Sequence, residues 1–156
     1  MNWIISKTKI RFHTYLYEIL KPIWLDLSGY DWILADLDFI SYEKVPINFE
    51  HDYFSLNTQQ FEKLYQSEAQ IIWGIISAVP KNEALDLSLI SRLSAEDENA
   101  WKPDQFLIQQ SFVEIIAFDS SYTIVKFKDG KLSEKFKEYF QKEAIDLEEF
   151  TKKNIK

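Results

Sequence analysis

Few side chains in this sequence have the types and spacing that metal chemistry requires. The only imidazoles are His13 and His51, and His51 lies in the triplet Glu50-His51-Asp52. Adjacent residues rarely point at a single ion, and no second histidine stands four positions away, as it does in the helical zinc motif. We therefore expect no bound metal, and we assign His13 to the solvated side of a helix.

Nucleophilic and acid-base candidates are equally sparse. Ser120 and Ser121 fall in a predicted hairpin turn without the glycines of a nucleophile elbow. Asp36 and Asp38 form a carboxylate pair, but side chains that flank a turn are ordinarily solvated. The three glycines are isolated, so they build neither a phosphate loop nor a dinucleotide fingerprint. We expect no catalytic residues, no cofactor and no enzymatic activity.

Negative charge is instead concentrated in one stretch, residues 24–62, which we call the acidic segment. It contains eight acidic residues and a single lysine, and its net charge of −7 equals the net charge of the whole chain. Aromatic residues are interleaved with the acids, and acids with aromatics are typical of protein-recognition surfaces. The candidate partner-binding residues, which we call the acidic surface, are Asp36, Asp38, Tyr42, Glu43, Glu50, Asp52 and Tyr53.

Composition limits the classes of partner and compartment. The 156 residues fit a single domain spanning 1–156, and 46% hydrophobic residues supply a substantial core. A pI near 4.9 argues against nucleic acid, which binds clustered basic residues. The absence of cysteine fits a reducing compartment, and the N-terminal apolar run is too short for a signal or membrane span. We expect a cytoplasmic protein that binds neither nucleic acid nor membrane.

Hydrophobic periodicity predicts the elements that would hold these residues. A short strand is predicted at Trp3–Ser6, followed by a helix from about Lys9 to Lys21 whose apolar face includes Phe12 and Leu16. Residues 31–35 and 39–42 read as strands joined by a turn at 35–38, and 45–54 as a loop. Asn57 is a good N-cap for a helix at 58–66.

In the second half of the sequence, 71–76 is predicted as a strand buried on both faces. A short strand is expected at 85–89 and a capped helical turn at 94–101. Residues 112–118 and 122–128 predict a hairpin whose first strand is central. A helix follows at 131–142, with Asp129 or Ser133 as its cap. The fold class is α+β, a single domain with an antiparallel-rich sheet of about five strands and about three packed helices.

Lysines near the C-terminus have an ordinary structural interpretation. Lys126 and Lys128 belong to the second hairpin strand, and further lysines of the last helix alternate with Glu134 and Glu138. Such interleaving predicts a solvated amphipathic face, with one face of the second hairpin strand partly exposed.

Two stretches carry a resemblance to known proteins. YLYEILKPI at 15–23 with YDWIL at 30–34, and VEIIAFDSSYTIVKFKD at 113–129, resemble an uncharacterised bacterial family found chiefly in Bacillus-type organisms. That family implies a small cytoplasmic domain without assigned catalytic residues. The overall profile is also similar to the immunity proteins of contact-dependent growth inhibition and related polymorphic toxin systems, which implies binding to a delivered toxin domain, often a basic nuclease.

These observations support three hypotheses for the function of this protein. The favoured hypothesis is a cytoplasmic immunity protein that binds and neutralises a basic toxin domain through the acidic surface. The second is a housekeeping or regulatory binding domain without catalysis, and the third is an enzyme with an unfamiliar carboxylate site. A purely solubilising role for the acids is the structural alternative to the first hypothesis.

Overall fold

The structure, a computed structural model, describes residues 1–5, 14–119 and 121–154. The strands are β1 Asn2–Ile5, β2 Tyr30–Ile40, β3 Tyr53–Leu56, β4 Gln70–Pro80, β5 Val113–Phe118, β6 Tyr122–Phe127 and β7 Ala144–Asp146. The helices are α1 Leu16–Leu20, α2 Thr58–Gln66, α3 Leu87–Ile90, α4 Gly130–Phe140 and α5 Leu147–Asn154. Short 3-10 helices lie at Trp24–Leu27, Glu98–Trp101 and Gln141–Glu143.

The strands form a single sheet in the order β3-β2-β4-β5-β6-β1-β7, with every neighbouring pair antiparallel. The α+β class and the antiparallel sheet are confirmed, but the described residues contain seven strands and five α-helices, more than expected. The extra strands are β3, of four residues, which begins inside the predicted loop 45–54, and β7, of three residues, which lies beyond the last predicted helix.

Both faces of the sheet are covered. On the first face, α1, α2 and α4 pack over a core that includes Leu16, Phe61 and Phe136. On the second face, residues 81–112, which we call the cover segment, pack with α5 over a separate core. β4 is accordingly buried on both faces and β5 lies in the middle of the strand order, as predicted.

Several local predictions are confirmed by their capping groups. Asn57 forms a capping box with Gln60 at the start of α2, which begins and ends where the sequence predicted. Asp129 accepts a hydrogen bond from the Lys131 N–H at the start of α4. The hairpin of β5 and β6 is present, with Val113 opposite Phe127.

Other predictions are wrong. β2 runs without a turn through residues 35–38, because a bulge takes up the irregularity there and pairing with β4 resumes at Asp38. Residues 85–89 contain the start of α3 and no strand. Residues 123–127 of β6 are all buried, so this strand has no solvated face.

The predicted helix from about Lys9 to Lys21 is wrong at Thr14 and Tyr15, because Thr14 has a φ of 53° and Tyr15 forms an isolated antiparallel bridge with Gln70. The helix α1 begins at Leu16, which lies in the core as expected. The predicted positions Ser6, Lys9, Phe12 and His13 lie outside the described residues, as does Ser120. No helix in the described part of the chain is long and apolar enough to cross a membrane.

Candidate functional site

The acidic surface is assembled at one edge of the sheet, from the second half of β2, the loop 41–52 and the edge strand β3. The bulge in β2 sets its geometry. Asp36 lies in the bulge with a φ of 52°, and the neighbouring Leu37 side chain lies over Gly74 of β4. A Cβ added at Gly74 would lie 2.6 Å from Leu37 Cδ2, so glycine at this position leaves room for the bulge.

Asp36 and Asp52, distant in sequence from one another, line the same depression of about 230 Å³. Asn48, Phe49 and His51 contribute to its wall. Asp36 is already engaged, because its Oδ2 accepts a 2.8 Å hydrogen bond from the Ala95 N–H of the cover segment. The bulge carboxylate therefore positions the cover segment and retains an exposed side.

The remaining carboxylates of the acidic surface are also exposed. Glu43 Oε1 accepts a 2.6 Å hydrogen bond from the Glu68 N–H, which ties the loop 41–52 to the residues before β4. Among the described residues, the carboxylates of Asp38 and Glu50 make no side-chain hydrogen bond or ion pair, so their charge faces solvent.

The acidic segment does not form one continuous surface. Asp26 lies on the helical side, where its Oδ2 is 2.7 Å from the Lys135 ammonium of α4. Glu62 is exposed on α2. Charge near the sheet edge is therefore carried by the residues of β2 and the loop 41–52, while the start of the segment is partly neutralised.

Exposed apolar side chains accompany these acids. Tyr42 is fully exposed, Phe49 is 68% exposed and Ile40 is 46% exposed. Phe49 stacks on Phe39 of β2 with ring centroids 4.6 Å apart, which holds the exposed ring in place. Tyr53, predicted as an exposed aromatic, is only partly exposed because it packs against the second core.

Sequence reasoning missed Phe49 and Ile40 as candidates. Phe49 lies in the predicted loop 45–54, and an aromatic residue in a stretch without hydrophobic periodicity has no predicted core to enter. The position of Phe49 could therefore have identified it as an exposed contact residue. The position of Ile40 could not, because the sequence assigned it to a separate strand.

The histidine and serine candidates give no reactive arrangement among the described residues. His51 is exposed and meets the ring of Phe54 edge-on, with centroids 5.8 Å apart. Ser121 Oγ donates a hydrogen bond to the Asp119 carbonyl, as turn serines do. Within the described ranges no three His, Asp or Glu side chains are grouped closely enough to hold a metal ion.

A buried charged pair was not predicted at all. Glu114 of β5 and Lys126 of β6 stand opposite each other in the sheet, and both are 0% exposed. Glu114 accepts hydrogen bonds of 2.8 and 2.9 Å from the Leu107 and Ile108 N–H groups. The hydroxyls of Ser77 and Ser111 donate to the same carboxylate.

Lys126 makes the complementary contacts to the same cover segment. Its ammonium donates to the carbonyl oxygens of Asn99, Lys102 and Gln105 at 3.1, 3.0 and 2.6 Å. Burial lowers the pKa of Lys126 to about 8, against the opposing effect of Glu114. The expected solvated face is thus wrong for Lys126, which is buried beneath the chain that covers the sheet.

Burial also raises the pKa of Glu114, although the two backbone N–H donors and the charge of Lys126 oppose that shift. Every polar atom of the pair is directed at the backbone of the cover segment or at a neighbouring side chain. The pair therefore acts as a clasp that fixes the cover segment to the sheet.

Comparisons with protein-family models, with curated proteins and with solved structures gave no match to this chain. The site must therefore be interpreted from its own chemistry.

Proposed function

We propose that this protein is an immunity protein that binds and neutralises a basic toxin domain in the cytoplasm. The observation that carries the proposal is the exposed pair Tyr42 and Phe49 in the loop 41–52, which also contains the exposed carboxylates of Glu50 and Asp52 and follows Asp38 of β2. Aromatic side chains supply binding energy when a partner removes them from water. Carboxylates around them select a partner of positive potential.

The physical logic favours a nuclease-type toxin. A nuclease presents positive potential to phosphate, so an inhibitor with localised negative charge is drawn to the surface that the substrate uses. Electrostatic steering raises association rate constants toward about 10⁸ M⁻¹s⁻¹ at low salt. Inhibition then follows from covering that surface, without catalysis or a cofactor in this protein.

The first test asks whether a basic toxin domain is encoded beside this gene and measures association kinetics against that domain at two salt concentrations. One variant changes Asp36, Asp38, Glu43, Glu50 and Asp52 to Asn or Gln, which keeps the acceptors used by the Ala95 and Glu68 N–H groups. We expect slower association and a weaker salt dependence.

The matched control removes the same amount of charge elsewhere. Its changes are to the amides at five exposed acids outside the acidic surface: Glu83, Glu134, Glu138, Glu148 and Glu149. If both variants associate at the same rate as the wild type, the acids are only a solvated surface. If both slow association equally, net charge and not the acidic surface is responsible.

The second test separates anchoring from steering. Tyr42→Ala should mainly raise the dissociation rate, by about tenfold or more for a central aromatic residue. Tyr139→Ala, which removes a 48% exposed tyrosine from α4, is the control and should leave dissociation unchanged. Equal behaviour of the two variants would contradict a role for Tyr42 at the interface.

A further inference from the structure

The two edges of the sheet are protected differently. At one edge, β7 is three residues long, the Lys137 ammonium donates to its Ala144 carbonyl at 2.5 Å, and α5 follows directly. At the other edge, β3 pairs with β2 at positions 53–56 and has no strand on its far side. The second edge is therefore the open one.

Half of the backbone groups of β3 point away from β2, because successive residues of an antiparallel strand direct their N–H and C=O groups to alternate sides. Within the described part of the chain, the backbone of Tyr53–Leu56 has no hydrogen-bond partner outside the ladder with β2. Ser55 is exposed and its two neighbours toward the N-terminus are partly exposed. The outward groups are thus accessible to another chain.

Apart from its short length, β3 has none of the usual obstacles to pairing. Edge strands are commonly blocked by proline, by lysine or another charge, or by a bulge. Tyr53–Leu56 reads YFSL, with none of these residues, and the bulge of this region lies in β2 instead. Its shortness limits the addition to a segment of a few residues.

The charges beside β3 indicate which segment fits. Glu50 and Asp52 are exposed immediately before the strand, whereas the exposed Glu62 and Lys63 of the helix that follows it cancel in charge. A cationic strand is attracted to this edge. A second copy of this chain, with its own net charge of −7, is repelled.

We propose that β3 receives an extended, basic segment of the partner protein as an eighth strand of the sheet. Main-chain hydrogen bonds to the outward groups of β3 supply affinity, and the neighbouring acids select lysine or arginine side chains on the added strand. This inference rests on the proposed function, because the segment belongs to the same basic partner that contacts Tyr42 and Phe49.

The test uses a blocked octapeptide of alternating lysine and valine, with the glutamate-valine peptide as a charge control. Backbone amide exchange, measured with and without peptide, first identifies which of Phe54 and Ser55 has the outward N–H. We expect saturable binding of the basic peptide, protection of the outward amides of β3, and binding of the acidic peptide at least tenfold weaker.

A proline variant then removes one outward donor. The change is Ser55→Pro or Phe54→Pro, at whichever position has the outward N–H, and the matched control is alanine at the same position, which keeps it. Proline should weaken binding of the basic peptide at least tenfold, and alanine less than threefold. If the proline variant does not fold, amide protection in the wild type decides the question.

Three results of the peptide experiments would overturn the proposal: no saturable binding of the basic peptide, binding that leaves the β3 amides unprotected, or equal binding by folded proline and alanine variants. The proposed function fails separately. A protein that binds the peptide along β3 but does not bind the toxin domain retains the open edge and loses the immunity role. A toxin complex in which the β3 amides exchange freely retains the role and refutes strand addition.

Discussion

Replacing Glu114 with glutamine tests the clasp between the sheet and the cover segment. The substitution keeps the shape of the side chain and removes its charge and one acceptor oxygen. In the native carboxylate, Oε1 accepts from the Leu107 N–H and Oε2 from the Ile108 N–H. Either orientation of the new amide places an NH₂ group against one of these donors, which loses its partner.

The magnitude follows from these contacts. A buried N–H without a partner costs about 1–3 kcal/mol. The same change also removes the negative charge that opposes the burial cost of the Lys126 ammonium. We therefore expect Glu114→Gln to lower the free energy of unfolding by about 2–3 kcal/mol, the upper part of that range.

The assay is urea unfolding followed by tryptophan fluorescence and by far-UV circular dichroism, together with amide exchange at Leu107 and Ile108. Lys126→Met and the double variant complete a double-mutant cycle. The double variant should lose less stability than the two single changes summed, with a coupling of about 0.5–3 kcal/mol. A loss below about 1 kcal/mol for Glu114→Gln, or strictly additive effects, would refute the clasp.

Three further outcomes are expected. The pKa of Lys126 is about 8 in the folded chain and its ordinary value is 10.5, so between these two pH values the unfolded chain binds more protons. The free energy of unfolding of the wild type, measured relative to Lys126→Met, should therefore rise by roughly 3 kcal/mol across this pH window. A fall in this difference would contradict the prediction. Leu16→Ala should cost about 2–5 kcal/mol in urea unfolding, and a loss below roughly 1 kcal/mol would show that its buried contacts matter little. The double change of His13 and His51 to Gln should leave toxin-domain binding within a few-fold of wild type, with substoichiometric metal in the purified protein; one tightly held zinc per chain would disprove this expectation.

Local signals predicted the parts of the fold that local physics decides. Asn57 capped α2 and Asp129 capped α4 because side-chain capping depends on a few adjacent residues. The β5 and β6 hairpin followed from two apolar runs and a short turn. β3 and β7 were missed because such short strands exist only through pairing with β2 and β1, which a local pattern does not contain.

The candidate site was predictable in composition and not in geometry. The localised acidity predicted a candidate site around β2 and the loop 41–52, and Tyr42 is exposed as expected. Tyr53 turned inward because the pleat of β3 directs it to the second core. Lys126 was misassigned because a charged residue in a strand is read as solvated, whereas here the cover segment supplies carbonyl acceptors from distant sequence.

The position of β1 between β6 and β7 has a consequence for synthesis of the protein in the cell. Ile5 pairs with Thr123 and with Ala144, so β1 emerges from the ribosome roughly 120 residues before its first partner. At a translation rate of about 5–20 residues per second, the apolar residues of β1 remain without a neighbouring strand for on the order of ten seconds. Folding of this half of the sheet is therefore completed late, and the nascent chain spends that interval exposed to chaperones and proteases.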